Sequence, residues 1–198
     1  MPQRYGLYNI NKIEITGQAC TGKTRYIRRR VEKENHVVLA GGSRLNKLFY
    51  FATGFKYLGF SRVARLYLWS LNESAPFYFR LNVFINAVSK FGLIVSADTS
   101  QISSNKFFFC DEGISHLPFL FLNTDTELVV NFISSEIKNI EIYFLKSPGC
   151  RIIQHRLGSR GHKRLKFMSQ ASFVQRNDEI EKTLLNMYPN LCRNIEVL

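Results

Sequence analysis

The chain reads as a three-layer α/β/α domain built on a mostly parallel sheet. Three observations predict it. A β-branched, alternating stretch at 12–16 runs into a glycine loop at 17–24 and on into a helical stretch at 25–33 that lacks Gly and Pro. Short apolar runs recur at 36–40, 106–111 and 140–145. Helical stretches separate these runs, and strands that alternate with helices pair in parallel because the crossover must be long enough to hold a helix. No internal repeat, low-complexity tract or linker divides the chain, so one domain is expected over 1–198.

The elements follow in order. After the first strand, loop and helix, His36-Val37-Val38-Leu39-Ala40 reads as a second, buried strand ending at Gly41-Gly42. Ser43 suits the N-cap of a helix beginning at Arg44. A largely helical block follows, with breaks expected at Gly54, Gly59 and 72–76, where Pro76 suits a first helical turn. The stretch 77–97 predicts a long, mostly buried helix. Arg80, Asn82, Asn86 and Lys90 interrupt its greasy character and argue against a membrane span. The run 106–111 is a short strand ending in a carboxylate. Helix is expected at 126–139, strand at 140–145, helix at 173–187, and a short closing strand at 195–198.

The loop Gly17-Gln18-Ala19-Cys20-Thr21-Gly22-Lys23-Thr24 fits G-x-x-x-x-G-K-[ST] at every specified position. This spacing lets the backbone fold into a nest whose N–H groups face phosphate oxygens. Lys23 can reach the β- and γ-phosphates of a nucleoside triphosphate such as ATP, and the Thr24 hydroxyl can ligate Mg²⁺. The helix that starts here adds its positive end to the same anion site.

Phe107-Phe108-Phe109-Cys110-Asp111-Glu112-Gly113 delivers a carboxylate to the edge of the sheet where the loop opens. Asp111 there can hold Mg²⁺ opposite Thr24, and Glu112 can orient or deprotonate the attacking group. Which of the two acids serves as base stays open, and Gly113 is expected to permit the exit turn. A third feature follows Lys146-Ser147-Pro148. Arg156 and Arg160 are four apart and share one helix face, where their charges can stabilise a transferring phosphoryl group. Gly158 and Gly161 suit the hinges of a closing lid. An exposed basic helix or a nucleic-acid patch are the competing readings of the same segment.

Charge and cysteines bound the surroundings. With 27 Lys and Arg against 15 Asp and Glu, the net charge is +12. Such a balance suits a nucleic acid, an acidic partner or a phosphate-rich small substrate. The cluster at 25–33 reads as a solvated helix face. Cys20, Cys110, Cys150 and Cys192 include no C-x-x-C pair, so neither a cysteine-ligated metal site nor a disulfide framework is expected. The stretch 1–8 is polar and lacks the apolar segment of a signal peptide, which makes the cytoplasm the expected location.

Taken together, the glycine loop, the strand-borne acid and the run Arg156-Leu157-Gly158-Ser159-Arg160-Gly161 resemble the P-loop nucleoside and nucleotide kinases, with thymidylate kinase-like proteins the closest general type. Their lid commonly reads R-[IL]-x-x-R-G, which these six residues match. The resemblance implies a P-loop NTPase fold with a sheet of about five strands, an ATP site at 17–24 and lid arginines at Arg156 and Arg160. It also implies a helical acceptor side over about 43–97 and a lid over about 149–170. The acid and arginine that these families carry at the end of the second or third strand are not reproduced. The second strand ends Ala40-Gly41-Gly42-Ser43-Arg44 and the third ends Asp111-Glu112. Arg44 suits either an acceptor phosphate or the helix surface.

Two functional readings follow. In the first, the chain is a small-molecule kinase that moves the γ-phosphoryl group of ATP to a nucleoside, nucleotide or similar acceptor. In the second, it is an ATPase or nucleotide switch acting on nucleic acid or a protein partner, a reading that leans on the adjacent Asp111 and Glu112. Size favours the first, because one domain leaves little room for effector modules.

Overall fold

The structure, a computed structural model, describes residues 12–33, 37–40, 44–99, 107–192 and 194–198. At its centre β1 (Lys12–Gly17) and β4 (Ile140–Leu145) run side by side in parallel, and their side chains alternate between two buried faces. Ile13, Ile15, Tyr143 and Leu145 pack on one face with Ile27 of α1 (Lys23–Lys33). Ile140, Ile142 and Phe144 point the other way. They join a larger core with α3 (Phe77–Thr99), α5 (Thr126–Ile137) and α7 (Gln170–Met187). Period-two burial on both faces of one sheet produces the expected three layers.

β3 (Phe107–Asp111) lies on the other side of β1, and β2 (Val37–Ala40) lies beyond it. The strands β2-β3-β1-β4 form the body of the sheet, all in parallel, and the short, largely exposed β5 (Asn194–Val197) extends it beside β4. The chain thus leaves β1 through α1 toward one edge and later crosses from β3 to β4 on the other side. Ligands of open α/β sheets bind at the carboxyl ends of strands around such a reversal, and the glycine loop sits at that end of β1.

Between β2 and β3 stand α2 (Arg44–Leu71) and α3. Of the breaks expected in this block, Gly59 is a kink, with φ 70° and ψ 167°, and 72–76 forms the turn into α3. Gly54 is not a break. It stays helical because it serves packing: a Cβ on Gly54 would collide with the Val88 carbonyl, and one on Gly92 would collide with the Tyr50 carbonyl. The two helices therefore cross with their backbones in near contact.

By length and composition the segment Phe77–Ala97 could cross a membrane, yet half of it is buried within the fold. Phe79, Val83, Ala87, Val88, Phe91 and Ile94 join the main core. Burial by half rather than most of its surface corrects the expectation for this helix. The helix expected at 126–139 is α5, which ends two residues earlier and is capped by Asp125, whose side chain accepts the Glu127 and Leu128 N–H groups. The terminal helix begins at Gln170 rather than 173, because Ser169 caps it through the Ser172 N–H. The residues expected to form the second strand's glycine end and the Ser43 cap lie outside the described residues.

Candidate functional site

The loop between β1 and α1 adopts the strained backbone that a phosphate nest requires. Gly17 and Gly22 have φ of 136° and 108°, and Cys20, which is not a glycine, has φ of 64°. A left-handed conformation at a side-chain-bearing residue costs on the order of 1–2 kcal/mol. Cys20 is held there from outside the loop, since its carbonyl accepts a hydrogen bond from Arg156 Nη1 at 2.9 Å. Arg156 lies on α6 (Cys150–Arg160), so the expected lid arginine already touches the loop. Gly158 continues this helix rather than hinging it, and Gly161, at φ 69°, follows its last residue.

Lys23 is almost fully buried at the base of the loop. Its ammonium donates to Gly17 O at 3.0 Å and Gln18 O at 2.6 Å, and pairs with Glu112 Oε1 at 3.1 Å. Gln18 is tied away from the cleft, donating from Nε2 to Asp178 Oδ1 at 2.6 Å on α7. Thr24 is exposed and lines the cleft. Arg25 and Arg29 line it too, so the basic face of α1 overhangs the site rather than merely meeting solvent.

Asp111 and Glu112 end β3 beside the loop. The Glu112 N–H donates to Ile15 O at 3.1 Å, which docks the strand end onto β1. Glu112 itself takes φ of 58°, so the exit turn places its strain there and not on Gly113, whose φ is −68°. Gly113 is needed for space: a Cβ there would strike the carboxylate of Glu14. Glu14 is completely buried on β1 and accepts the N–H groups of Ile114 at 3.0 Å and Ser115 at 2.7 Å. These bonds anchor the 3₁₀ turn Ile114–His116 that follows the acids. The polar residues Glu14 and Thr16 of β1 are fully buried and support the site.

His116, at the end of that turn, lies with Nδ1 3.4 Å from Thr16 Oγ1 and Nε2 3.6 Å from Glu112 Oε1. Burial pushes its pKa down to about 3, although the Glu112 charge opposes the shift. The Glu112 carboxyl is held well below the ordinary carboxylate range by His116 and Lys23, against the opposing effect of burial. At neutral pH the imidazole is uncharged, so Lys23 carries that stabilisation. Burial, then the neighbouring Glu112 charge, raises the Asp111 carboxyl, and Lys23 lies near enough to oppose it. Asp111 Oδ1 is buried without a hydrogen-bond partner.

The depressed His116 value makes folding acid-sensitive. Below its unfolded value of 6.5 the unfolded chain binds a proton that the folded chain refuses until about pH 3. Stability from this group therefore falls with pH through that window, by about 2 kcal/mol between pH 7 and pH 5. Denaturant unfolding of His116→Gln at both pH values should show a loss smaller by that amount. Equal losses in the two proteins would contradict a buried neutral imidazole.

The loop, Glu112, Arg156 and His162 enclose a cleft of about 600 Å³. The structure thus brings together Lys23, Thr24, Glu112 and Arg156 at one opening, with Asp111 beside them. Arg160 closes α6, and its side chain, like that of Arg44, lies outside the described residues. Missed from sequence were Glu14, His116, His162, Arg25 and Arg29. The only local signal was the alternation of β1, which cannot say which face is buried.

The chain has a parallel sheet with a glycine loop after its first strand, a carboxylate at the end of the adjacent β3 and an arginine-bearing helix over the loop, a fold it shares with solved nucleoside kinases. Among solved structures it is similar to the deoxyadenosine kinase of M. mycoides with bound dATP, at 12% identity and a TM-score of 0.52, covering 94% of this chain and 90% of that one. It is also similar to the same enzyme with its products dCMP and a flexible dCDP, at 11% identity and a TM-score of 0.49, covering 94% and 89%. No family model matches the chain, and no curated protein matches it either.

Proposed function

We propose that the chain is an ATP-dependent kinase that transfers the γ-phosphoryl group to a nucleoside-type acceptor. It would act as one domain over 1–198, with its acceptor side over about 43–97 and its lid over about 149–170. The observation that carries this reading is the cleft in which Lys23, Glu112 and Arg156 face one another across the phosphate loop. The similarity to a kinase fold solved with dATP supports it.

In this reading the loop N–H groups and the start of α1 bind the polyphosphate. Lys23 turns from its backbone carbonyls toward the β- and γ-oxygens. Arg156, already seated on the Cys20 carbonyl, needs only a short swing to meet the transferring group, and Arg160 is assigned to the same lid. Thr24 and Asp111 fit a hard divalent cation: both offer oxygen, and Asp111 Oδ1 is buried and unpartnered. Mg²⁺ held there would neutralise charge on the phosphate oxygens. Glu112 orients the acceptor while balancing Lys23. The four cysteines are free thiols, which suits the reducing cytoplasm proposed as its location.

Release of ADP, measured with ATP, Mg²⁺ and a panel of nucleosides, nucleotides and sugars, tests the reading. Turnover should depend on a small acceptor, and Arg156→Met should lower it about 100-fold with little change in ATP affinity. Acceptor-independent hydrolysis stimulated by DNA or RNA would instead establish the hydrolase reading.

A further inference from the structure

Of the fourteen large hydrophobic side chains that stand exposed among the described residues, ten lie on α2 and α3. Leu48 and Phe55 share a stripe of α2 with Phe51, and Phe77 and Leu81 share one of α3 with Phe84, at three- and four-residue spacing. Ring contacts join the two stripes: Phe84 lies 5.9 Å from Phe51 and 5.4 Å from Tyr67. At the Gly59 kink Phe60 stands 81% exposed, and Leu68 follows at 60%. With roughly 200 Å² per large side chain, the ten expose on the order of 1,000 Å², above the few hundred that a monomer normally leaves in water. The same helices are basic. Between Arg44 and Ala97 stand seven lysines and arginines and one acid, Glu73. Glu73 is buried in its pair with Arg164, so it offsets none of the outward charge. Lys56 and Arg65 are exposed among the apolar groups, Lys56 beside Phe55 and Arg65 three residues before Leu68.

We propose that the outer face of α2 and α3 docks the protein on an anionic lipid bilayer, with Phe60 and its apolar neighbours entering the headgroup boundary and Lys56 and Arg65 meeting the headgroups. The proposal stands apart from the kinase reading. Charge selects the lipid over a second copy of the chain. A two-fold interface sets a surface against itself, and each Lys56 and Arg65 would then meet two helices that offer no exposed carboxylate. An anionic bilayer supplies both missing partners: acyl chains for the aromatic rings, and negative headgroups for the ammonium and guanidinium. Long basic side chains reach those headgroups while their stems stay against apolar surface. The docking is interfacial rather than spanning, because half of Phe77–Ala97 is committed to the core. None of the residues that line the cleft lies on α2 or α3, so a bilayer against this face leaves the cleft walls uncovered.

Cosedimentation with vesicles tests the proposal, phosphatidylcholine alone against equal parts of phosphatidylcholine and phosphatidylserine. The parent should bind the mixed vesicles about 30-fold more tightly than the neutral ones. Lys56→Gln and Arg65→Gln should each lower that affinity about fivefold, and Phe60→Ser about tenfold. All three side chains are exposed, so thermal melting followed by circular dichroism should match the parent. In Phe60→Trp the added indole should shift its emission to the blue with mixed vesicles and be quenched by brominated acyl chains. That readout separates this face from adsorption through the basic face of α1. An unshifted emission, or unchanged affinity in the Lys56 and Phe60 variants, would overturn the proposal. So would a parent that is dimeric by light scattering, becomes monomeric in Phe60→Ser and ignores the mixed vesicles, an outcome that gives the face to a second copy.

Discussion

Lys23→Met is expected to lower kcat/KM for phosphoryl transfer by about 10²–10³ or more, the largest effect of any single replacement in the cleft. The ammonium is the one cation seated inside the loop, 6% exposed, and all its donors are used in the free protein by Gly17 O, Gln18 O and Glu112. An arriving polyphosphate competes for those donors with two neutral carbonyls and one carboxylate. In the proposed kinase reading it wins because it brings several anionic oxygens to a loop whose backbone has the φ pattern of an anion nest. In the proposed kinase reading Lys23 turns from the two carbonyls and keeps Glu112 as its partner, so one side chain would link nucleotide binding to acceptor positioning. Methionine keeps most of the volume and removes the charge. Both nucleotide affinity, measured by equilibrium dialysis, and steady-state turnover should fall. A variant within threefold of the parent in both would remove Lys23 from the chemistry.

The loop was legible from sequence because its parts are contiguous. Eight consecutive residues specify the nest, and the flanking strand and helix follow from local pattern alone. Asp111 and Glu112 were legible for a related reason, since an apolar strand must end where its polar residues begin. What holds these groups in place was not. Glu14 reads as the polar half of an alternating strand, and only the return of the chain a hundred residues later puts the Ile114 and Ser115 N–H groups against it. The Gly113 case shows the same limit. Sequence pointed to its backbone freedom, whereas the structure needs its missing side chain. The basic segment 151–164 divides in the same way. Four-residue spacing put Arg156 and Arg160 on one helix face, and the fold sets Arg156 against the Cys20 carbonyl, but the same run of positive charge hid a residue with a different task.

That residue is Arg164, and Arg164→Met is expected to destabilise the fold by about 3–5 kcal/mol. Arg164 and Glu73 are 7% and 2% exposed, and Nη1 meets Glu73 Oε2 at 2.6 Å. The guanidinium makes further contacts: Nη2 donates to the Leu120 carbonyl, and the group lies 5.4 Å above the Phe79 ring. Glu73 in turn accepts the Asn123 N–H at 3.1 Å. One ion pair thus ties the turn after α2 to the end of α4 (Leu117–Leu120) and to the 3₁₀ turn that follows α6. Removing the arginine leaves a carboxylate out of water with a single N–H for company, and that uncompensated charge, rather than the lost contact, sets the magnitude. The pair itself is worth much less, because both ions were desolvated to form it. Denaturant unfolding of Arg164→Met, Glu73→Met and the double variant separates the two contributions. The double variant should recover at least half of the Arg164→Met loss, with a coupling energy of about 2–3 kcal/mol. A single-variant loss below about 1 kcal/mol, typical of exposed pairs, would contradict a buried, charge-bearing anchor at Arg164.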